Sequence, residues 1–330
     1  SLKPIDENQL ETTIGYEQLA VDLTAFLAQH VKDKNVKSAL DFALLEDFDH
    51  LYRYANMLES DMGCHAEDYV GDYTEIMPAR PTIAHHRHPY DSVKNHICNK
   101  TADPFDKCAV NIITAAEQQT MNYYMNLGAF YKNQKGREVY TEIAMVEEQH
   151  VTHYGSLIDP SASWFEMCLM HEYIECYLYY SMLCDESDAG VKKVWEMLLE
   201  QEIAHLHSAV KNLRKYEKKE WQEVIPNGEF PELISLKSNK NYIRNILKDT
   251  VYNTAHREGY ININDLSEDA DFFKYQRKVI KKEKDVASHK VVAEHIERYG
   301  KDYRVEDKPN PIKPLQDRTT DNTEVGRVKN

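Results

Sequence analysis

One spacing of acids and histidines occurs three times in this chain of 330 residues. A lone acid is followed 30 residues later by a second acid, and a histidine lies three positions further on. The three sets are Glu17 with Asp47 and His50, Glu117 with Glu147 and His150, and Glu172 with Glu202 and His205. Carboxylates mixed with imidazoles suit iron or manganese better than a thiolate set would. The repeat therefore predicts metal binding.

Two such sets supply the ligands of a site for two metal ions. An acid and a histidine three positions apart project from the same side of a helix, one turn apart. Two nearby divalent ions need several carboxylates to offset their repulsion, and an imidazole adds a nitrogen without adding charge. We expect one or more carboxylates to bridge the two ions. The expected metal is iron, with manganese as the alternative.

The elements that must position these residues are helix hairpins. Each 30-residue interval has a polar or Gly-containing midpoint, at 32–35, 132–136 and 185–190, which predicts a turn between two antiparallel helices. Arms of ~13 residues then place each acid opposite its acid-x-x-His partner. Apolar residues flank the ligands at steps of three and four, so the ligands are expected on the buried face, where unpaired charge is costly without a metal.

The pattern predicts an all-α fold built from three antiparallel helix hairpins, with additional C-terminal helices and a tail. We divide the chain into a first hairpin at 1–60, an irregular Pro-containing connection at 61–107, the second and third hairpins at 108–218, and an extension at 219–330. Within the extension, helices are expected at 239–252 and 269–297, followed by an extended tail from about residue 303.

Two of the three hairpins must be chosen for a single site. The second and third have the fuller acid set, because Glu175 adds a carboxylate one turn from Glu172, whereas Asp47 has a shorter reach than Glu. The chain length between hairpins favours the first and second, because 67 residues separate His50 from Glu117 and 22 separate His150 from Glu172. Ligand chemistry ranks the second and third hairpins first, and chain length keeps the first in consideration.

The motifs Ala144-x-x-Glu147-x-x-His150 and Leu199-x-x-Glu202-x-x-His205, each preceded by a lone Glu, resemble the ferritin-like superfamily, and its rubrerythrin-type members in particular. The pair Glu172-x-x-Glu175 is similar to the third helix of rubrerythrins, and the resemblance covers about residues 12–216. Two departures are the third hairpin and the lack of the two CxxC pairs of a rubredoxin module.

The resemblance implies a ferritin-like bundle with a di-iron site, and hence an oxidoreductase that acts on oxygen or peroxide with an unknown electron donor. In the favoured pairing, Glu147 and Glu202 would bridge the two ions. His150 and His205 would be terminal ligands, and Glu117 and Glu172 would be the outer acids. Two alternatives of other classes are a metal-binding or storage protein without turnover and a structural helical bundle.

Other residues have more ordinary interpretations. His85, His86 and His88 would close a metal site from the connection, but an exposed polar loop is the favoured interpretation. Tyrosines near the acids, such as Tyr124 beside Glu117, would serve redox chemistry or donate hydrogen bonds, and core packing is favoured.

Composition excludes several partners. A net charge of -15 disfavours binding to nucleic acid and to anionic membranes. The six cysteines form no CxxC pair, and residues 1–11 lack the apolar run of a signal peptide, so a reducing, cytoplasmic compartment is expected. The polar C-terminal tail is compatible with a homo-oligomer.

Overall fold

A computed structural model describes residues 8–71, 74–80, 86–280, 282 and 285–300 of the chain. Over these residues the protein is mainly helical, with ten α-helices and one small two-stranded sheet, which confirms the all-α class. None of the described helices is both long enough and apolar enough to cross a membrane.

Six long helices form three consecutive pairs, and each pair is joined by a turn at one of the polar midpoints. The pairs are α1 (Gln9–His30) with α2 (Lys34–Met62), α4 (Pro104–Gly128) with α5 (Gln134–Gly155), and α6 (Trp164–Asp185) with α7 (Ala189–Asn212). The side chains of Asp33, Asn133 and Asp188 accept hydrogen bonds from first-turn amides of α2, α5 and α7. The midpoints therefore break one helix and cap the next, as their composition predicts.

The first two hairpins share the largest apolar core, and the connection between them lies against it. This connection contains the short helix α3 (Glu67–Val70) and a 3-10 turn at Pro89–Ser92. Ile76, Met77 and Ala79 are buried in the core shared by α2 and α5. The connection is also hydrogen-bonded to both hairpins, for example from Arg80 N to Leu45 O at 3.3 Å and from Ile97 N to Leu157 O at 2.9 Å.

The C-terminal extension covers the first two hairpins. It contains α8 (Lys240–Thr250), the antiparallel strands β1 (Asn253–His256) and β2 (Gly259–Asn262), α9 (Asp271–Val279) and α10 (Ala287–Tyr299). α8 matches the helix expected at 239–252. The single helix expected at 269–297 is wrong, because Ile280 leaves the helical region at φ -106° and ψ 59° and two helices form. The predicted tail from residue 303 lies outside the described residues.

α10 is fixed on α2 and α5 by polar contacts at both of its ends. The Glu142 carboxylate accepts hydrogen bonds from Ala287 N (2.7 Å) and Ser288 N (2.9 Å), at the positive end of the helix dipole. Near its other end, His295 Nε2 pairs with the buried Glu59 carboxylate of α2. These contacts hold α10 as a cover over the bundle.

The third hairpin is attached through one side of α6. Leu169, Tyr173 and Tyr177 of α6 are buried in a core shared with α4, and the two tyrosine hydroxyls donate to Glu229 O and Glu232 O of the segment after α7. α7 is different, because Ala209 is the single buried residue among its 24 residues, all of which the structure describes. The other side of this hairpin therefore faces outward.

Candidate metal centre

Six of the sequence-predicted ligands meet inside the bundle formed by the first two hairpins. α1 contributes one acid, α2 an acid and a histidine, α4 one acid, and α5 an acid and a histidine. The residues are Glu17, Asp47, His50, Glu117, Glu147 and His150, each at most 1% exposed. The 30-residue spacing places each lone acid at the height of its acid-x-x-His partner, as the hairpin interpretation predicts.

Glu147 belongs to two separate ligand groups. In one, single ligand atoms of Glu17, His50 and Glu147 lie within 4.8 Å of one another; in the other, atoms of Asp47, Glu117, Glu147 and His150 do so. The rings of His50 and His150 stack at a centroid distance of 6.0 Å. Two adjacent groups that share a carboxylate have the arrangement of a dinuclear site, in which one carboxylate contacts both ions.

The protein alone does not satisfy these carboxylates. His150 Nδ1 lies 3.1 Å from Asp47 Oδ1, 3.2 Å from Glu147 Oε2 and 3.6 Å from Glu117 Oε2. One imidazole nitrogen carries at most one proton, so it cannot donate to three carboxylates. Both oxygens of Glu117, which are buried, accept no well-formed hydrogen bond. A cation in this space would satisfy all three acids, so the residues fit a metal ion.

A buried ion-pair network sets the orientation of His150. Glu46 Oε2 lies 2.6 Å from His150 Nε2, so Glu46 would hold a proton on Nε2 and leave Nδ1 to bind a cation in the ligand group. Glu46 is in turn bound by Arg87 Nη1 at 3.1 and 3.2 Å and lies 3.5 Å from Arg80 Nη1. Both guanidinium groups pack over the ring of Phe42, with Arg80 at 4.1 Å and Arg87 at 5.1 Å from the ring centroid.

This network was not predicted from the sequence. Glu46 precedes a predicted ligand, but its two arginine partners lie in the connection at 61–107, and no spacing links them to it. The one available signal was an Arg between two histidines at 86–88.

The electrostatics of the cluster differ from residue to residue. Burial, followed by repulsion from Asp47 and Glu147, raises the pKa of Glu117 well above its usual value. Burial and the same two neighbours also raise the pKa of Glu17. Burial acts in the same direction on Glu147, but His50 and His150 outweigh it and lower the pKa of that carboxyl. Glu147 is therefore the most strongly acidic ligand, as a shared carboxylate requires.

Tyr124 of α4 hydrogen-bonds to Glu17 through its hydroxyl group, and it also packs against Tyr54 and Tyr140 in the core. The hydroxyl donates to one oxygen of Glu17 and leaves the other, Oε2, without a hydrogen-bond partner. The ring of Tyr124 packs in the core, as the favoured interpretation predicts. Its hydroxyl group also orients the candidate ligand Glu17 through the hydrogen bond.

The favoured pairing of the second and third hairpins is wrong. His150 and Glu117 meet Asp47 of the first hairpin, whereas Glu172, Glu202 and His205 form a separate group on the third hairpin. In that group His205 Nδ1 lies 3.0 Å from Glu202 Oε2 and 3.8 Å from Glu172 Oε2, and the His205 side chain is 59% exposed. Glu175 is half-buried on α6, the helix of Glu172, and is not part of this three-residue group. Asp47 enters the site because α2 packs against both α1 and α5, which brings Asp47 Oδ1 to 3.1 Å from His150 Nδ1.

The exposed-loop interpretation of the connection histidines is wrong for His86. His86 is buried, and burial lowers its pKa to about 4. The segment turns inward because the adjacent Arg87 pairs with Glu46. His88 accepts a hydrogen bond from Tyr90 N at 3.3 Å and caps the 3-10 turn. His85 lies outside the described residues, and the candidate ligand groups among the described ones include neither His86 nor His88.

Comparison with protein-family models, with curated proteins and with solved structures gives no significant match to this chain. The functional argument therefore depends on the geometry of the chain itself.

Proposed function

We propose that α1, α2, α4 and α5 form a ferritin-like bundle that binds two metal ions, preferentially iron, and that the protein is an oxidoreductase acting on oxygen or peroxide. The observation that carries the proposal is the sharing of Glu147 between two buried ligand groups. Besides Glu147, each group contains one histidine and at least one further acid, so each ion would have both nitrogen and oxygen ligands.

The charge of the cluster fits two divalent ions. Glu17 and His50 would bind one ion, Glu117 and His150 the other, and Glu147 would contact both, with Asp47 beside the second. The four carboxylates balance the charge of two divalent cations, and the two imidazoles add nitrogen ligands without adding charge. Without cations, burial and then mutual repulsion disfavour the charged acids, and both raise the pKa values of Glu17 and Glu117.

The residues around the cluster determine how it would work. If the site held two ferrous ions, they would supply the two electrons that, with two protons, reduce hydrogen peroxide to two molecules of water. Burial excludes bulk water from the ligands and strengthens every charge interaction inside the bundle. Glu46 holds the proton on His150 Nε2, and Tyr124 fixes one oxygen of Glu17, so both ligands are oriented before an ion binds.

A second candidate is a metal centre without turnover. All six ligands are at most 1% exposed, and closed coordination is typical of structural metal sites, whereas catalytic sites keep a position open. Such a centre would hold the first two hairpins together and would have no substrate.

The first test is metal content. We expect protein loaded anaerobically with Fe²⁺ and desalted to retain about two ions in the buried site. Glu147→Gln should lose both ions, whereas Glu148→Gln, its exposed neighbour on α5, should keep them. Equal metal content in these two variants would contradict the proposed site.

The second test separates the two candidates. Loaded protein is mixed with hydrogen peroxide, and oxidation of the iron is followed optically, with Glu148→Gln as the control. Rapid oxidation and repeated turnover with an added reductant support the oxidoreductase. Iron that stays ferrous, in a protein whose unfolding temperature falls on chelation, identifies the structural centre instead.

A further inference from the structure

The third hairpin carries a ligand group that is half the size of the buried one. One atom each of Glu172, Glu202 and His205 lies within 4.8 Å of the others, with the same 30-residue spacing as in the first two hairpins. In the buried site, each hairpin supplies one lone acid and one acid-x-x-His, and the facing hairpin supplies the same again. The third hairpin therefore offers one of the two halves that such a site needs.

The ligand face of this hairpin is the side that packs against nothing in the described part of the chain. α6 is attached through Tyr173 and Tyr177, whereas the neighbouring Glu172 projects from a different side of the helix and is partly exposed. On α7, the steps from Val191 to Val194, Leu198, Glu202 and His205 are three or four residues, so these side chains share one face.

Exposed apolar side chains lie along both helices of this hairpin. On α7, Val191 is 40%, Val194 36% and Met197 50% exposed, and on α6 Trp164 is 70% exposed. In the first two hairpins, the apolar residues flanking the ligands are buried because another hairpin covers them. An apolar helix face with metal ligands at its centre has the composition of a bundle interior, not of a solvated surface.

We propose that the third hairpin of a second copy of this chain covers this face, and that the two copies together bind metal ions between them. A twofold axis would bring two sets of Glu172, Glu202 and His205 together, which gives four carboxylates and two imidazoles, the same number of each as in the buried site. A second copy is the occupant with the matching ligand set, because the other two repeats of the chain already pair with each other. Four facing carboxylates repel one another, so this dimer depends on metal.

Light scattering after size-exclusion chromatography tests the proposal, with Mn²⁺ as an air-stable probe. We expect a dimer with Mn²⁺ and a monomer after chelation, and about three ions per chain, two buried and one from the shared site. Glu202→Gln should be a monomer with about two ions per chain. Glu200→Gln, an exposed acid on the same helix, is the matched control and should behave as the unsubstituted protein.

Two results would overturn the proposal: a monomer at every Mn²⁺ concentration, or a dimer that persists equally after chelation and in Glu202→Gln. Glu202 is half-buried and its side chain is 16% exposed, so circular dichroism checks that Glu202→Gln keeps the fold. Glu147→Gln separates this proposal from the buried site, because it should lose the buried ions and still form the Mn²⁺-dependent dimer.

Discussion

The first two hairpins and the third hairpin carry the same ligand spacing in opposite surroundings. His150 is fully buried and contacts four carboxylates, three of them through Nδ1, whereas the His205 side chain is 59% exposed and contacts two. The local sequence is almost equivalent, since each histidine lies three residues after a glutamate. The difference is that α5 has a facing hairpin within the chain and α7 has none among the described elements.

This comparison shows that spacing defines ligands, whereas packing defines a site. Acid and histidine at i and i+3 meet on any helix, and the Glu202–His205 contact forms on an exposed one. Desolvation of the carboxylates, and with it the need for a cation, is much greater where two hairpins close over each other than on the third hairpin. The predictions below compare the two regions directly.

Replacement of the two histidines should give the largest contrast. His150→Ala removes the imidazole that lies within 3.6 Å of Asp47, Glu117 and Glu147, so we expect chelated protein to lose about 3–5 kcal/mol of unfolding free energy. His205→Ala should change the unfolding free energy by no more than about 0.5 kcal/mol. Urea unfolding monitored by circular dichroism measures both changes in unfolding free energy. A similar loss in the two variants would show that His150 does not stabilise the buried carboxylates.

Glu46 tests whether the orientation of His150 matters for binding. Glu46→Gln keeps an oxygen near His150 Nε2 but removes the charge that binds Arg87, so we expect metal affinity to fall about 10–100-fold with the number of ions unchanged. Competition with a chelating dye measures the affinity. Gln201 occupies the corresponding position before Glu202 and is exposed, so Gln201→Ala should leave the affinity of the third hairpin unaltered.

The smallest effect is expected at Tyr124. Tyr124→Phe removes the hydrogen bond to Glu17 and keeps the ring, which costs about 1 kcal/mol, or about a fivefold loss of affinity for the ion at Glu17. Tyr123→Phe is the control, because that hydroxyl lies 3.5 Å from Gln9 O instead of at a ligand. Equal affinities in the two variants would mean that Tyr124 serves packing alone.

The hairpins and the ligand residues were predictable because both depend on short-range pattern. Capping residues such as Asp33 and Asp188 mark the turns, and a three-residue step fixes each acid beside its histidine. The pairing of hairpins was not predictable from ligand chemistry, which favoured Glu175 over the shorter Asp47. Chain length gave the better criterion, because it reflects the path that the connection must follow.

The charged network around Glu46 shows a second limit. Its partners Arg80 and Arg87 come from a segment without regular structure, and only the folded arrangement brings them to α2. A sequence pattern reveals residues that share a helix, but not ion pairs formed between a helix and a distant loop.

The position of α10 has a consequence for the order of folding. Its contacts to α2 join residues far apart in sequence, with Glu59 and His295 separated by 236 positions. During synthesis the N-terminal hairpins emerge from the ribosome well before α10, so the bundle can assemble while α2 is still uncovered. That interval leaves α2 and α5 uncovered, and local opening of α10 in the finished protein should expose the same faces of these two helices again.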